Sequence, residues 1–282
     1  MLRPEEVGLN PGDPLPILPG HVSHGRFERV LRAGHFAITT EIAPPDSADP
    51  EEVLRRAHLF DGHVDAINAS GLLRELGDLI ETRHPRASTA PDATGPCDVV
   101  LVVVKAAQTA WAAERAKQLC APHTLVVTLQ NGVGNRELLA AHLGEARVGQ
   151  GVTALGATLL GPGQVRHAGQ GATVFGSAPD RAGMAALAGV FSACGLPAEL
   201  SDDLDALVWG KLVVNAGINA LTALLRVPNG ALDAVPEARD LVAAAVAEAV
   251  AVAHGRGTAL PYDDALGHVL AVARATGANR SS

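Results

Sequence analysis

The sequence has few aromatic residues, and charged residues are also scarce. Aromatic side chains make up 3% of the 282 residues, so the core must be built from alanine, leucine and valine. Hydrophobic residues nevertheless reach 48% and charged residues 18%, which is typical of a globular chain and excludes an intrinsically disordered one. A chain of this length predicts two domains of ordinary size with a sizeable buried core.

An excess of positive charge is also lacking. The formal net charge is -8, with a sequence pI near 5.7, and no basic stripe is present that could neutralise the phosphates of a nucleic acid. We therefore expect no nucleic-acid partner and favour small-molecule chemistry.

Cysteine pairs and long apolar runs are missing. Cys97, Cys120 and Cys194 are odd in number and widely spaced, which favours a reduced, cytoplasmic protein over a disulfide framework. The apolar run 99–104 is far shorter than the ~20 residues that span a bilayer, so no membrane segment is expected. The eleven histidines show no His-x-His or His-Glu-x-x-His spacing, and no metal site is predicted.

No Gly-x-Gly-x-x-Gly turn occurs in the 282 residues. Such a turn lets backbone amides reach the pyrophosphate of a dinucleotide at a helix N-terminus. The nearest match, 149–154, is followed by a strand pattern instead of a helix. In the predicted first β-α-β unit, 35–68, the turn contains prolines and acids where phosphate would bind.

The patterns that are present indicate an α/β domain followed by helices. Buried parallel strands are predicted at 98–104 and 124–129, each followed by a helix, and short strands with glycine turns fill 148–175. A short helix at 184–194 and a last strand at 198–201 precede helices at 203–226, 236–256 and 262–276. We therefore divide the chain into a flexible tail, 1–25, an α/β domain, 26–202, and an all-helical domain, 203–282.

The first of the C-terminal helices carries an unusual polar row. Lys211, Asn215 and Asn219 follow one another at i+4 spacing, which stacks them on one face of an apolar helix. One interpretation is that this face simply contacts water. The other is that a lysine beside two amides binds a carboxylate or carbonyl and donates a proton.

Two further polar residues follow the predicted parallel strands. Lys105 comes directly after the first strand and Asn131 after the second. Ligands of open α/β sheets bind at the carboxyl ends of strands, so both are candidate binding residues. A lysine at a strand exit and an ordinary Asn-Gly turn explain the same positions equally well.

Four ordered motifs make the chain resemble the ketopantoate reductase (2-dehydropantoate 2-reductase) family over about residues 63–282. They are DVVLVVVKAAQT at 98–109, TLQNGVGN at 128–135, GATLLGPGQVRHAGQGATVFG at 156–176, and the segment 209–230. The resemblance implies a Rossmann-like parallel sheet domain, followed by a helical substrate domain. It also implies reduction of a 2-keto acid by NADPH, 2-dehydropantoate to pantoate in the family, on the route to pantothenate and coenzyme A.

The resemblance also implies roles for individual residues. Lys211 is similar to the catalytic lysine that protonates the carbonyl oxygen. Asn215, Asn219 and Ser282 take substrate-binding positions, and the cofactor-binding positions are taken by Lys105, Gln108 and Asn131. A homodimer is compatible with this interpretation.

The sequence departs from the family pattern near both ends. Residues 26–68 instead resemble the first β-α-β unit of methylenetetrahydrofolate reductase, with Glu41 at its acid/base position, and we place the join at 63–68. The family motif that begins at 278–282 normally continues to a substrate-binding glutamate. We therefore expect an altered Rossmann-like domain, a helical domain truncated at its end, and an impaired reductase.

Two alternatives remain open at this point. The chain could be a catalytically inactive fused or truncated relative that serves at most as a binding module. A folate-linked reductase that uses Glu41 is the third hypothesis, although one β-α-β unit cannot form an eight-stranded barrel.

Overall fold

A computed structural model describes residues 72–85, 87–91, 94–169 and 171–279. The predicted tail 1–25, the β-α-β unit within 26–68, Glu41 and Ser282 lie outside the described residues. The resemblance of 26–68 to methylenetetrahydrofolate reductase therefore stays a prediction.

The described residues form strands interspersed with helices up to residue 201, and only helices from residue 204 onward. The strands are β1 (Leu72–Leu76), β2 (Leu79–Arg83), β3 (Cys97–Val102), β4 (Cys120–Thr128), β5 (Val148–Thr153), β6 (Gly156–Gly161), β7 (Gln164–Gly169), β8 (Thr173–Gly176) and β9 (Ala198–Ser201). The α-helices are α1 (Thr109–Lys117), α2 (Asn135–Leu143), α3 (Arg181–Ala193), α4 (Leu204–Leu225), α5 (Ala231–Ala234), α6 (Pro236–Gly255) and α7 (Ala265–Ala275). Short 3-10 turns cover Ala106–Gln108 and Glu145–Arg147.

The larger sheet has five strands in the order β3-β4-β5-β8-β9. Strands β3, β4 and β5 are parallel, β8 is antiparallel to β5, and β9 is parallel to β8. Valines such as Val126, Val127 and Val148 are completely buried, as expected for parallel strands covered on both faces. The prediction of a Rossmann-like parallel sheet followed by helices is confirmed.

Side chains of opposite strand faces enter two separate cores. One core packs Val100, Val126 and Val148 against Ala113 of α1 and Leu139 of α2. The other core is built around Leu125, Val127 and Phe175, with Met184 and Leu187 from α3. Helices on both faces therefore cover the sheet, and the aliphatic composition of the chain accounts for most of the buried side chains.

A second sheet, in the order β2-β1-β7-β6, was not predicted as a unit. The sequence indicated the β6–β7 hairpin, but gave no prediction for β1 and β2. Strand β1 pairs with β2 across a two-residue turn at Gly77-Asp78, where Gly77 has a φ of +58°. Glycine at the first central position is the signal for a type II′ hairpin, and it could have revealed this turn.

The chain folds into two compact units. The first contains the described residues up to 130 and 135–201, and the second contains 131–134 and the described residues from 202 onward. The second unit is helical, and α4 packs in its core beside α6 and α7. The side chain of Asp203 caps the N-terminus of α4 by accepting a hydrogen bond from the Ala206 amide.

Helix α4 is long and apolar enough to pass a length and composition test for a membrane span. The same helix contributes buried Val213, Gly217 and Ile218 to the helical unit, which is the environment of a core helix.

Gly217 lies where α4 packs closely against α6 and α7. A Cβ atom at this position would lie 2.9 Å from Val246 Cγ2 and 2.9 Å from Val269 Cγ1. Gly189 of α3 is also inside a helix, but a Cβ there would meet no atom within 4 Å. Replacement by alanine is therefore expected to have opposite effects on stability at these two positions.

We expect Gly217→Ala to destabilise the helical unit and Gly189→Ala to stabilise the chain. Overpacking costs about 1–3 kcal/mol, and alanine returns about 0.5–1 kcal/mol of backbone entropy in a helix. The net loss for Gly217→Ala is therefore up to about 2 kcal/mol, against a gain of about 0.5–1 kcal/mol for Gly189→Ala. Urea unfolding of both variants measures the difference, and equal stabilisation by both would contradict the close packing at Gly217.

Candidate functional site

The first group of candidate residues follows β3. Lys105 is exposed, and its carbonyl oxygen accepts a hydrogen bond of 2.8 Å from the Gln108 amide, which closes the short turn before α1. The side-chain oxygen of Gln108 is shielded from solvent and accepts no hydrogen bond from any described residue. The turn therefore holds an exposed cation and a buried acceptor at the carboxyl end of a parallel strand.

The second group follows β4, the strand adjacent to β3. Gln130 is buried, whereas Asn131, the next residue, is exposed in the loop before α2. Because β3 and β4 are parallel and Val102 pairs with Thr128, the carboxyl ends of the two strands share one edge of the sheet.

A buried hydrogen-bond network joins these two strand exits. The Gln130 side-chain amide donates to the Val104 carbonyl oxygen at 2.7 Å and to the Thr109 hydroxyl at 2.9 Å. Its oxygen accepts a hydrogen bond of 2.9 Å from the Thr128 hydroxyl. This network was not predicted, because its only local signal in the sequence is the pair of polar residues Thr128 and Gln130 at the end of an apolar strand.

The third group lies on α4 of the helical unit. Lys211 and Asn215 are half-buried, and Asn219 is exposed. Burial lowers the pKa of the Lys211 ammonium below its ordinary value, because removal from water disfavours the charged form. The partial burial of Lys211 and Asn215 does not fit the interpretation in which the polar row simply contacts water.

The segment before α7 holds the part of α4 that carries Lys211. The Tyr262 hydroxyl donates a hydrogen bond of 2.9 Å to the Gly210 carbonyl oxygen. A Cβ atom at Gly210 would lie 2.7 Å from Pro261 Cγ, so the two segments are in close contact next to Lys211. Pro261 and Tyr262 were not predicted to support this site, because nothing local in the sequence connects them to a helix some fifty residues earlier.

The structure thus places the candidate residues in two sets. Lys105 and Gln108 share one turn of the α/β unit, whereas Lys211, Asn215 and Asn219 share one face of a helix in the helical unit; Asn131 is grouped with the helical unit. Within the part of the chain that the structure describes, no group of three or more His, Cys, Asp or Glu residues could hold a metal ion.

Two family models match the chain. The model described as "Ketopantoate reductase PanE/ApbA" matches residues 56–180, and its C-terminal counterpart matches residues 203–282. A curated relative, the 2-dehydropantoate 2-reductase of Halobacterium salinarum, is 38% identical over 224 residues, which are 78% of this chain and 73% of that protein.

Solved structures agree with this relationship. The 2-dehydropantoate 2-reductase of Geobacter metallireducens is 30% identical with a TM-score of 0.73, and the match covers 86% of this chain and 84% of that one. A D-mandelate dehydrogenase solved with NADH and anilino(oxo)acetate is 25% identical with a TM-score of 0.71, covering 79% of this chain and 73% of that one. The predicted family is thereby confirmed: this chain belongs to the ketopantoate reductases.

Proposed function

We propose that this chain reduces 2-dehydropantoate to pantoate with NADPH. The observation that carries the proposal is the half-buried Lys211, whose pKa is lowered by burial, in a row with two asparagines on an otherwise apolar helix. The names of the curated relatives support the choice of substrate. The structure of D-mandelate dehydrogenase with NADH supports a nicotinamide cofactor.

Lys211 is proposed as the general acid. Its ammonium group donates a proton to the C2 carbonyl oxygen of the keto acid and stabilises the negative charge that develops there. A lysine with a lowered pKa transfers its proton more readily near neutral pH than an ordinary lysine. The amides of Asn215 and Asn219 donate hydrogen bonds to the remaining oxygens of the substrate. We also propose that Ser282 binds the substrate and that residues 203–282 form a substrate domain.

The residues assigned to the cofactor fit the chemistry of a dinucleotide. The exposed Lys105 ammonium pairs with a phosphate. The side-chain oxygen of Gln108, which has no hydrogen-bond partner among the described residues, can accept a hydrogen bond from a carboxamide. Asn131 is proposed to orient the cofactor and the substrate. When bound, NADPH supplies the hydride for C2 of the keto acid.

We further propose that the reductase is impaired through weak cofactor binding, and that it acts in the cytoplasm. The 282 residues contain no Gly-x-Gly-x-x-Gly turn for the pyrophosphate. The three described cysteines form no disulfide with one another, which fits a reducing compartment.

Loss of NADPH absorbance at 340 nm in the presence of purified chain and 2-dehydropantoate tests the proposal. We expect turnover that depends on both reactants and yields pantoate. Absence of turnover at millimolar NADPH, from a chain shown by circular dichroism to be folded, would refute the reductase function and favour an inactive binding module.

The pH dependence follows from the state of Lys211. A general acid must be protonated, so kcat/KM is expected to stay level at lower pH and to fall tenfold per pH unit above the pKa of Lys211. Burial places this pKa below the usual value of about 10.4, so the break should occur below that pH. The Lys211→Arg variant is the control, because a guanidinium does not titrate in this range. If kcat/KM of the Lys211→Arg variant began to fall at the same pH as that of the wild type, the titrating group would be a residue other than Lys211.

A further inference from the structure

The Gln130 side chain bridges the two ends of the turn that carries the proposed cofactor residues. Its amide nitrogen donates to the carbonyl oxygen of Val104 and to the hydroxyl oxygen of Thr109, at 2.7 and 2.9 Å. Val104 directly precedes Lys105, and Thr109 directly follows Gln108. One side chain therefore fastens both ends of the segment 105–108.

Gln130 is itself held in place. It is 8% exposed, and its oxygen accepts a hydrogen bond of 2.9 Å from the Thr128 hydroxyl. The backbone amide of Gln130 donates to the same hydroxyl at 3.2 Å. Both hydrogens of the amide and its oxygen are therefore used, so the side chain has one orientation in which all its partners are satisfied.

The network extends into the turn and into α2. The Thr109 hydroxyl lies 2.9 Å from the Ala106 carbonyl oxygen, inside the turn, and 3.0 Å from the Asn135 side-chain oxygen. Its proton serves one of these acceptors, while its lone pair accepts from Gln130. Thr109, Gln130 and Asn135 are buried. Loss of one partner would therefore leave a polar group without a hydrogen bond, which favours a single geometry of the network.

We propose that Gln130 is a positioning residue for cofactor binding, which holds Lys105 and Gln108 in the geometry that receives the dinucleotide. This inference rests on the proposed function, because it assumes that the 105–108 turn contacts NADPH. Gln130 itself acts through that turn and need not touch the cofactor.

Gln130→Met is the first test, because methionine has a similar volume but cannot donate to Val104 and Thr109. We expect kcat/KM for NADPH to fall by about tenfold or more, since a misplaced turn loses contacts with the cofactor. The KM for 2-dehydropantoate should stay within twofold. Hydrogen exchange of the amides at 105–109 should accelerate in the same variant.

Thr124→Val is the matched control. Thr124 is 1% exposed and lies at the opposite end of β3 and β4. Its hydroxyl donates to the Cys97 carbonyl oxygen at 2.5 Å and accepts from the Ala121 amide at 2.7 Å. This variant loses buried hydrogen bonds of the same kind without touching the 105–108 turn. We expect kcat/KM for NADPH and exchange at 105–109 to remain within twofold of the wild-type values.

Gln130→Glu provides a conservative second variant if methionine prevents folding. The buried carboxyl has a raised pKa and, when protonated, can again donate to Val104. We therefore expect kcat/KM for NADPH, relative to wild type, to recover as the pH falls from 8.5 to 6.

The two proposals fail in distinguishable ways. Wild-type turnover together with unchanged kcat/KM for NADPH in Gln130→Met, or an equal loss in Thr124→Val, would overturn the positioning role alone. Absence of NADPH-dependent turnover by the wild-type chain would overturn the proposed function and this inference with it.

Discussion

Replacing Lys211 by methionine is expected to lower kcat by about two to four powers of ten, the usual contribution of a general acid. Methionine keeps the apolar stem of the side chain and removes the ammonium, so the helix retains its packing while the carbonyl oxygen loses its proton donor. Steady-state kinetics at saturating keto acid measures the loss. The KM for NADPH should change little, because the effect concerns the chemical step.

The control for this variant is Lys117→Met. Lys117 is an exposed lysine of α1, where it pairs with Glu114 at 2.7 Å. Its removal changes the net charge by the same amount and should leave kcat within twofold, since an exposed ion pair contributes little. If Lys211→Met retained more than half of the wild-type turnover, another group would have to supply the proton.

Weak cofactor binding is the second large effect that we expect. A glycine-rich turn donates backbone hydrogen bonds to the charged pyrophosphate, each contributing about 1.5–3 kcal/mol. The loss of two such bonds corresponds to about two to four powers of ten in Kd. Isothermal titration calorimetry should therefore give a Kd for NADPH nearer to the millimolar than the micromolar range.

Reduced nicotinamide mononucleotide serves as an internal control for the same titration. If the pyrophosphate and the adenosine half of NADPH find few partners, the mononucleotide should bind within about tenfold of NADPH, and NADH should resemble NADPH. Micromolar affinity for NADPH, with binding of the mononucleotide a hundredfold weaker, would show that other residues bind the dinucleotide phosphates.

Much of the α/β unit could be predicted, because its strands are encoded locally. The valine-rich runs that form β3 and β4 are typical of buried parallel strands. Lys105 and Asn131 follow these strands, and ligands of such sheets bind at the carboxyl ends, so both residues could be predicted as candidates. The boundaries of β9, at 198–201, were also predicted correctly. In each of these cases the pattern lies within a few residues of the feature that it predicts.

Features that depend on distant partners could not be predicted in this way. Strand β1 does not alternate regularly, and it pairs with β7, which lies about ninety residues later in the chain. Gln130 reads as an ordinary polar residue before a turn, since its partners Val104 and Thr109 are more than twenty residues away. The half-burial of Lys211 likewise depends on tertiary packing that helical periodicity does not encode.

Transfer of deuterium tests the central claim most directly. The purified chain should be incubated with 2-dehydropantoate and NADPH that is deuterated at both C4 positions of the nicotinamide, and the product analysed by mass spectrometry. We predict pantoate that carries one deuterium at C2, and its formation by the Lys211→Met variant should be slower by about two to four powers of ten under the same conditions. Absence of deuterated pantoate from the wild-type chain, or its formation at the same rate by the variant, would contradict a reductase that depends on Lys211.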